Sequence, residues 1–201
     1  MKRFFLFALS MKILNLRPYV MQKEITLHDK TFTLFIEESE LQACISQLAQ
    51  DLMDYYADKQ VILLPVLNGS FMFASDLMKQ ITRDIEVSFV KVSSYKGNTQ
   101  TSGRVDELIG LNASVRGKHV VILEDIVDTG ITIDKVISLL SADYPASIEV
   151  CTLLYKPEAY EGKHHPKFVG KEIENKFVVG YGLDYNEIGR NLKEVYQLKE
   201  E

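Results

Sequence analysis

Glu124 and Asp125 are adjacent carboxylates that directly follow four apolar residues, Val120 to Leu123. Three residues further on, the chain reads Asp128-Thr129-Gly130-Ile131-Thr132. An unbroken apolar run of this kind suits a strand buried on both faces of a parallel sheet. The two carboxylates then stand where that strand should end, at the edge where open α/β sheets bind ligands. Carboxylates in such a place need partners or a ligand, because burying an unpaired charge is costly. Thr129 to Thr132 open a helical stretch with small and hydroxyl residues, which present backbone N–H groups and hydroxyls to a phosphate at a helix N-terminus. Carboxylates for hydroxyls or a metal, beside a phosphate cradle, point to a sugar phosphate. Asp128, at the front of the cradle, also suits an N-cap for the helix that follows.

The elements that must position these groups alternate along the chain. Lys30 to Ile36 alternates enough to be a short strand. Ser39 and Gln42 have the spacing of a capping box, and Leu41, Ile45, Leu48 and Leu52 share one helical face, so a helix is expected over 39–58. Further strands are expected at Val61 to Leu67, Ile85 to Ser93, 120–126 and Ile148 to Leu154, with helices at Phe71 to Ile81 and 133–142. Strand–helix alternation of this kind predicts an α/β fold with a doubly wound, mostly parallel sheet. The polar stretch from Tyr95 to Gly117 is either a functional lid or a loose hairpin.

With 201 residues, the chain has room for one well-buried α/β domain and little for two. A net charge of −5 argues against a broad nucleic-acid-binding face. Cys44 and Cys151 lie in apolar surroundings far apart in sequence, the pattern of free thiols in a reducing cytoplasm. Met1-Lys2-Arg3 and the apolar Phe4 to Leu9 resemble the start of a secretory signal, but Ser10, Lys12, Asn15 and Arg17 break it. Residues 1–20 are therefore expected to be a disordered or misassigned extension, with the domain spanning 21–201. His164-His165 lacks a metal-ligand spacing and reads as a solvated loop. Neither G-x-x-x-x-G-K-[ST] nor G-x-G-x-x-G is present.

The segment 120–132 resembles the phosphoribosyl pyrophosphate signature of the type I phosphoribosyltransferases. More of the chain resembles their hypoxanthine-guanine branch: VLNGSFMFASDL at 66–77, SSY at 93–95 and KFVVGYGLDYNEIGRNL at 176–192. The resemblance covers about residues 22–198. It implies the type I fold, a central mostly parallel sheet flanked by helices, with a small hood built from N- and C-terminal segments. It also implies purine salvage, in which an oxopurine displaces pyrophosphate from phosphoribosyl pyrophosphate with Mg2+ as cofactor.

By that resemblance Glu124 and Asp125 hold the ribose diol, directly or through Mg2+. Thr129, Gly130, Ile131 and Thr132 cradle the 5′-phosphate, and Asp128 is the general base. Leu67, Asn68 and Gly69 bind pyrophosphate through a loop that in the family contains a non-proline cis peptide. Asn68 stands where many members carry Lys, which removes one positive charge. Lys156 donates to the purine six-oxo group, Phe177 stacks on the base, and Val178 and Asp184 lie beside it. Asp184 also helps hold a second Mg2+, Arg190 clamps pyrophosphate, and Ser94 and Tyr95 close over the reacting centre. A homodimer or homotetramer in the cytoplasm is implied, with small-molecule substrates and neither nucleic acid nor membrane as partner. Two rivals are a transferase preferring xanthine or guanine, and a regulator that senses phosphoribosyl pyrophosphate while binding nucleic acid. The second predicts a basic face and a degraded base-binding segment, and this chain is acidic with residues 176–192 intact.

Overall fold

The run Val120 to Leu123 divides its side chains between two separate cores. In the computed structural model, which describes residues 23–94 and 106–200, these residues lie in β7 (His119–Val127), at the middle of a five-stranded sheet. Val121 and Leu123 face a core built with α1 (Glu38–Tyr56) and α2 (Phe71–Gln80). Val120 and Ile122 face the other side, where α3 (Ile131–Ser141) contributes Ile133, Val136, Ile137 and Leu140. A period of two across a strand covered on both faces requires apolar residues at every position. The sheet order is β4 (Glu86–Val87), β3 (Val61–Pro65), β7, β8 (Ser147–Tyr155), β9 (Phe168–Glu172), and every neighbouring pair is parallel.

A second, antiparallel sheet forms the hood from both ends of the described chain. Its order is β1 (Glu24–Leu27), β2 (Lys30–Ile36), β11 (Val195–Leu198), β10 (Val178–Val179). Phe32, Val179 and Tyr196 make its small core. The expected α/β architecture, parallel sheet with hood, is the one present. Residues 1–20 lie outside the described residues, and with them the expected N-terminal extension.

Three sequence expectations are corrected. The single strand expected over Ile85 to Ser93 is two: β4 stays in the parallel sheet, while β5 (Lys91–Ser94) leaves it and pairs with β6 (Asp106–Ile109). Between them Ser88 N–H donates to Leu63 O at 3.1 Å, but Pro65 has no N–H to return, so the ladder breaks there and leaves only the single Val66–Val90 bridge beyond it. The antiparallel β5–β6 pair is the pairing expected of the hairpin alternative for Tyr95 to Gly117. The capping box does not form: Glu37 occupies the cap position of α1, Ser39 lies inside the helix, and Glu37 caps with no side-chain bond. β1, β9, β10 and β11 were not foreseen; they are two to five residues long and have too little periodicity to stand out.

Candidate active site

A cleft of about 390 Å³ opens at the C-terminal ends of β3 and β7, with hood residues on its far side. Of the site candidates whose side chains are described, every one lines it except Ile131. Ile131 is 69% exposed, at the first turn of α3. Ser94 ends β5 opposite Asp106, and Tyr95 lies outside the described residues. Val66, Ile126, Val127, Ile133 and Leu183 also line the cleft. They are the apolar neighbours of the predicted residues and carry no signal of their own.

Glu124 and Asp125 belong to β7 rather than following it, because the strand runs on to Val127 and pairs Glu124 with Thr152. They are only 7% and 8% exposed. Burial pushes the Glu124 carboxyl well above the usual range, and the neighbouring Asp125 charge pushes it the same way. Burial likewise lifts Asp125 to about 6, opposed by backbone hydrogen bonds and by Arg190. Such a pair takes on charge readily once a cation or a diol shares it.

Gly69 lies against this pair so closely that a Cβ there would come within 1.9 Å of Asp125 Oδ2. Only glycine permits that approach. The preceding Leu67–Asn68 peptide bond is cis. Leu67 N–H donates to Val90 O at 2.7 Å, and the buried Ser70 hydroxyl donates to Val66 O at 2.7 Å, which ties the loop to the sheet at both ends.

Asp128 does not cap α3. The cap position belongs to Gly130, in the left-handed conformation with φ of 83°, and the Asp128 carboxylate instead accepts a hydrogen bond from Lys156 Nζ at 2.8 Å. Lys156 is buried and follows β8, its N–H donating to Val127 O at 3.0 Å. The ends of two adjacent parallel strands thus bring an acid and a base together across 28 residues of sequence. Phe177, 46% exposed, rises from the hood at the cleft, packed edge-on to Tyr185 at 5.9 Å. It is an open aromatic face, whereas Val178 beside it is buried.

Asp184 and Arg190 hold each other at 2.5 Å. Arg190 also donates to Gly182 O at 2.6 Å, and Asp184 accepts from Glu187 N–H at 2.8 Å. A guanidinium fixed in this way can receive a polyanion without first being ordered. Among the described residues no group of three or more His, Cys, Asp or Glu side chains is gathered to hold a metal by itself. His164 and His165 are not merely solvated: His164 Nδ1 lies 2.7 Å from Asp134, and the His165 ring packs tilted against Tyr160 with centroids 4.7 Å apart.

Comparison with known proteins identifies the family. The chain matches the phosphoribosyl transferase domain family over residues 36–186. It is 38% identical over 175 residues to the hypoxanthine-guanine phosphoribosyltransferases of Staphylococcus epidermidis and Staphylococcus aureus, covering 87% of this chain and 98% of theirs. A crystal structure of a Staphylococcus aureus hypoxanthine phosphoribosyltransferase superposes with a TM-score of 0.75 at 39% identity, over 83% of this chain and 90% of that one. A hypoxanthine-guanine phosphoribosyltransferase from Bacillus anthracis gives a TM-score of 0.74 at 32% identity, over 83% and 96%. With the fold, the cleft and these similarities in agreement, the chain belongs to the phosphoribosyltransferase family.

Proposed function

We propose that the chain is a purine-salvage transferase. It moves the 5-phosphoribosyl group from phosphoribosyl pyrophosphate to hypoxanthine, and also to guanine, giving IMP or GMP and pyrophosphate. The observation that carries this reading is the Lys156–Asp128 pair at 2.8 Å, in one cleft with Phe177 and the loop 128–132. An oxopurine stacked on Phe177 offers a carbonyl to Lys156, and it offers to Asp128 the ring proton that must leave as the glycosidic bond forms. Adenine has an amino donor in place of that carbonyl and meets the ammonium unfavourably.

The remaining residues take roles that follow from their chemistry. Thr129 to Thr132 bind the 5′-phosphate by backbone amides and hydroxyls at the N-terminus of α3. Leu67 to Gly69 and Arg190 bind pyrophosphate, and Glu124 and Asp125 bind the ribose hydroxyls. Proximity and a fixed charge environment supply most of the acceleration. Ser94 and Tyr95 would shield the centre from water.

Mg2+ fits this donor set. It retains most of its water and takes only one or two carboxylates together with phosphate oxygens, so Glu124, Asp125 and Asp184 suffice without a protein cage. When bound, it would neutralise the leaving pyrophosphate. The two free thiols, Cys44 and Cys151, suit a cytoplasmic enzyme, and among the described residues no helix is long and apolar enough to cross a membrane. The family resemblance carries a homodimer or homotetramer with it, which light scattering on the purified protein measures. The deciding assay is pyrophosphate release with hypoxanthine, guanine, xanthine and adenine, with and without Mg2+. Release with hypoxanthine and guanine, dependent on Mg2+, is expected. No release with any purine would reject the reading.

A further inference from the structure

We propose that the segment from Tyr160 to His165 is a strap that positions the phosphate loop from behind, with Asp134 as its anchor. The strap follows the short 3-10 turn Pro157–Ala159 after Lys156 and crosses to the start of α3. Its first contact is with the loop itself. Glu161 N–H donates to Thr129 O at 3.1 Å. The Tyr160 ring lies over Gly130, so a Cβ on Gly130 would stand 2.4 Å from Tyr160 Cε2. Gly130 has φ of 83°, and the aromatic ring is the wall that holds this left-handed residue in place.

The strap is in turn pinned at its far end. Asp134 accepts Lys163 N–H at 2.9 and 3.1 Å and lies 2.7 Å from His164 Nδ1. Tyr160 OH donates to His164 O at 2.5 Å, and the ring packs between Tyr155 at 5.5 Å and His165 at 4.7 Å. Asp134 sits in the first turn of the helix whose N-terminus is to receive a phosphate dianion. Like charge there would oppose the ligand. By drawing the carboxylate onto an amide N–H and an imidazole, the strap spreads its charge over these partners and closes the back of the cradle. Lys156 stands at the near end of the same segment, so one piece of chain joins the group offered to the purine to the loop offered to the phosphate.

This role rests on the phosphoribosyl reading, and the test separates the two. Titration calorimetry with IMP and steady-state kinetics are run on the full chain and on Asp134→Ala, Asp134→Asn and Tyr160→Leu. Asp134→Ala and Tyr160→Leu should weaken IMP and raise the KM for phosphoribosyl pyrophosphate by roughly fivefold or more, the order of one lost hydrogen-bonded contact. The KM for hypoxanthine should stay within about twofold, since the Lys156 backbone is fixed independently by β7. Asp134→Asn, which keeps an oxygen to accept Lys163 N–H, should recover most of the loss. Wild-type IMP affinity in both disruptive variants overturns the strap. So does a loss shared equally by both substrates and tracking a lower melting temperature, which marks a general structural effect. Wild-type protein that binds no IMP overturns the phosphoribosyl reading itself, and the strap with it.

Discussion

Three residues test the site chemistry directly. Asp128→Asn keeps the shape and a hydrogen bond to Lys156 but cannot take a proton. Turnover should fall about 100- to 10,000-fold, the range for a lost general base, with IMP affinity little changed by calorimetry. Gly69→Ala would drive a methyl group into the Asp125 carboxylate, and activity should be lost while the protein still folds, as circular dichroism would show. The buried carboxylates also set a pH dependence. Asp125 titrates at about 6 in the fold, against about 4 in an unfolded chain. A carboxyl with a raised folded pKa favours the fold while protonated, so its contribution is complete below about pH 4 and is lost as pH rises through about 6. The ligand-free protein should lose melting temperature across that window, and Asp125→Asn should lose less. Parallel melting profiles for the two proteins would reject this account.

Among the elements, α3 has two duties that a mutation can separate. Its first turn presents the phosphate loop, while Ile133, Val136, Ile137 and Leu140 seal one face of the sheet. Leu140 is fully buried, far along the helix from the loop. Leu140→Ala should cost about 2–5 kcal/mol of folding stability through lost contacts and a cavity. Substrate KM values should stay near wild type below the melting transition. Denaturant melts checked against kinetics at 25 °C would show this, and a large KM change with unaltered stability would contradict it.

At the scale of the whole molecule, the cleft exists only because the hood stands against the parallel sheet. A network at that junction joins Tyr181 of the hood to Asp76 of α2 at 2.6 Å, with Gln42 of α1 donating to the same carboxylate at 2.9 Å. Tyr181 precedes Gly182, whose carbonyl holds Arg190, so the junction and the pyrophosphate clamp share one short segment. Tyr181→Phe should cost about 1 kcal/mol of stability and raise the KM for phosphoribosyl pyrophosphate. Melting curves and kinetics together measure both effects. Unchanged values of both would remove the network from the account of the cleft.

Sequence alone determined the parallel sheet, the two helical layers and the carboxylate–phosphate loop. Each of these is written in local pattern: Val120 to Leu123 as a run buried on both faces, Leu41, Ile45, Leu48 and Leu52 at helical spacing, and Thr129 to Thr132 as a turn. The resemblance of 66–77 and 176–192 to known relatives then named the purine and pyrophosphate groups, which no local pattern marks. Tertiary structure alone decided how those groups meet. Asp128 turns away from the helix end it could have capped, because Lys156 arrives beside it at the end of the next parallel strand. Asp134, Tyr160 and His164 look like ordinary surface residues, and they join only because the turn after β8 folds back over α3. Interactions across 28 to 30 residues depend on strand order and crossover. The periodicity of a single segment contains no trace of either, which is why the strap became visible only in three dimensions.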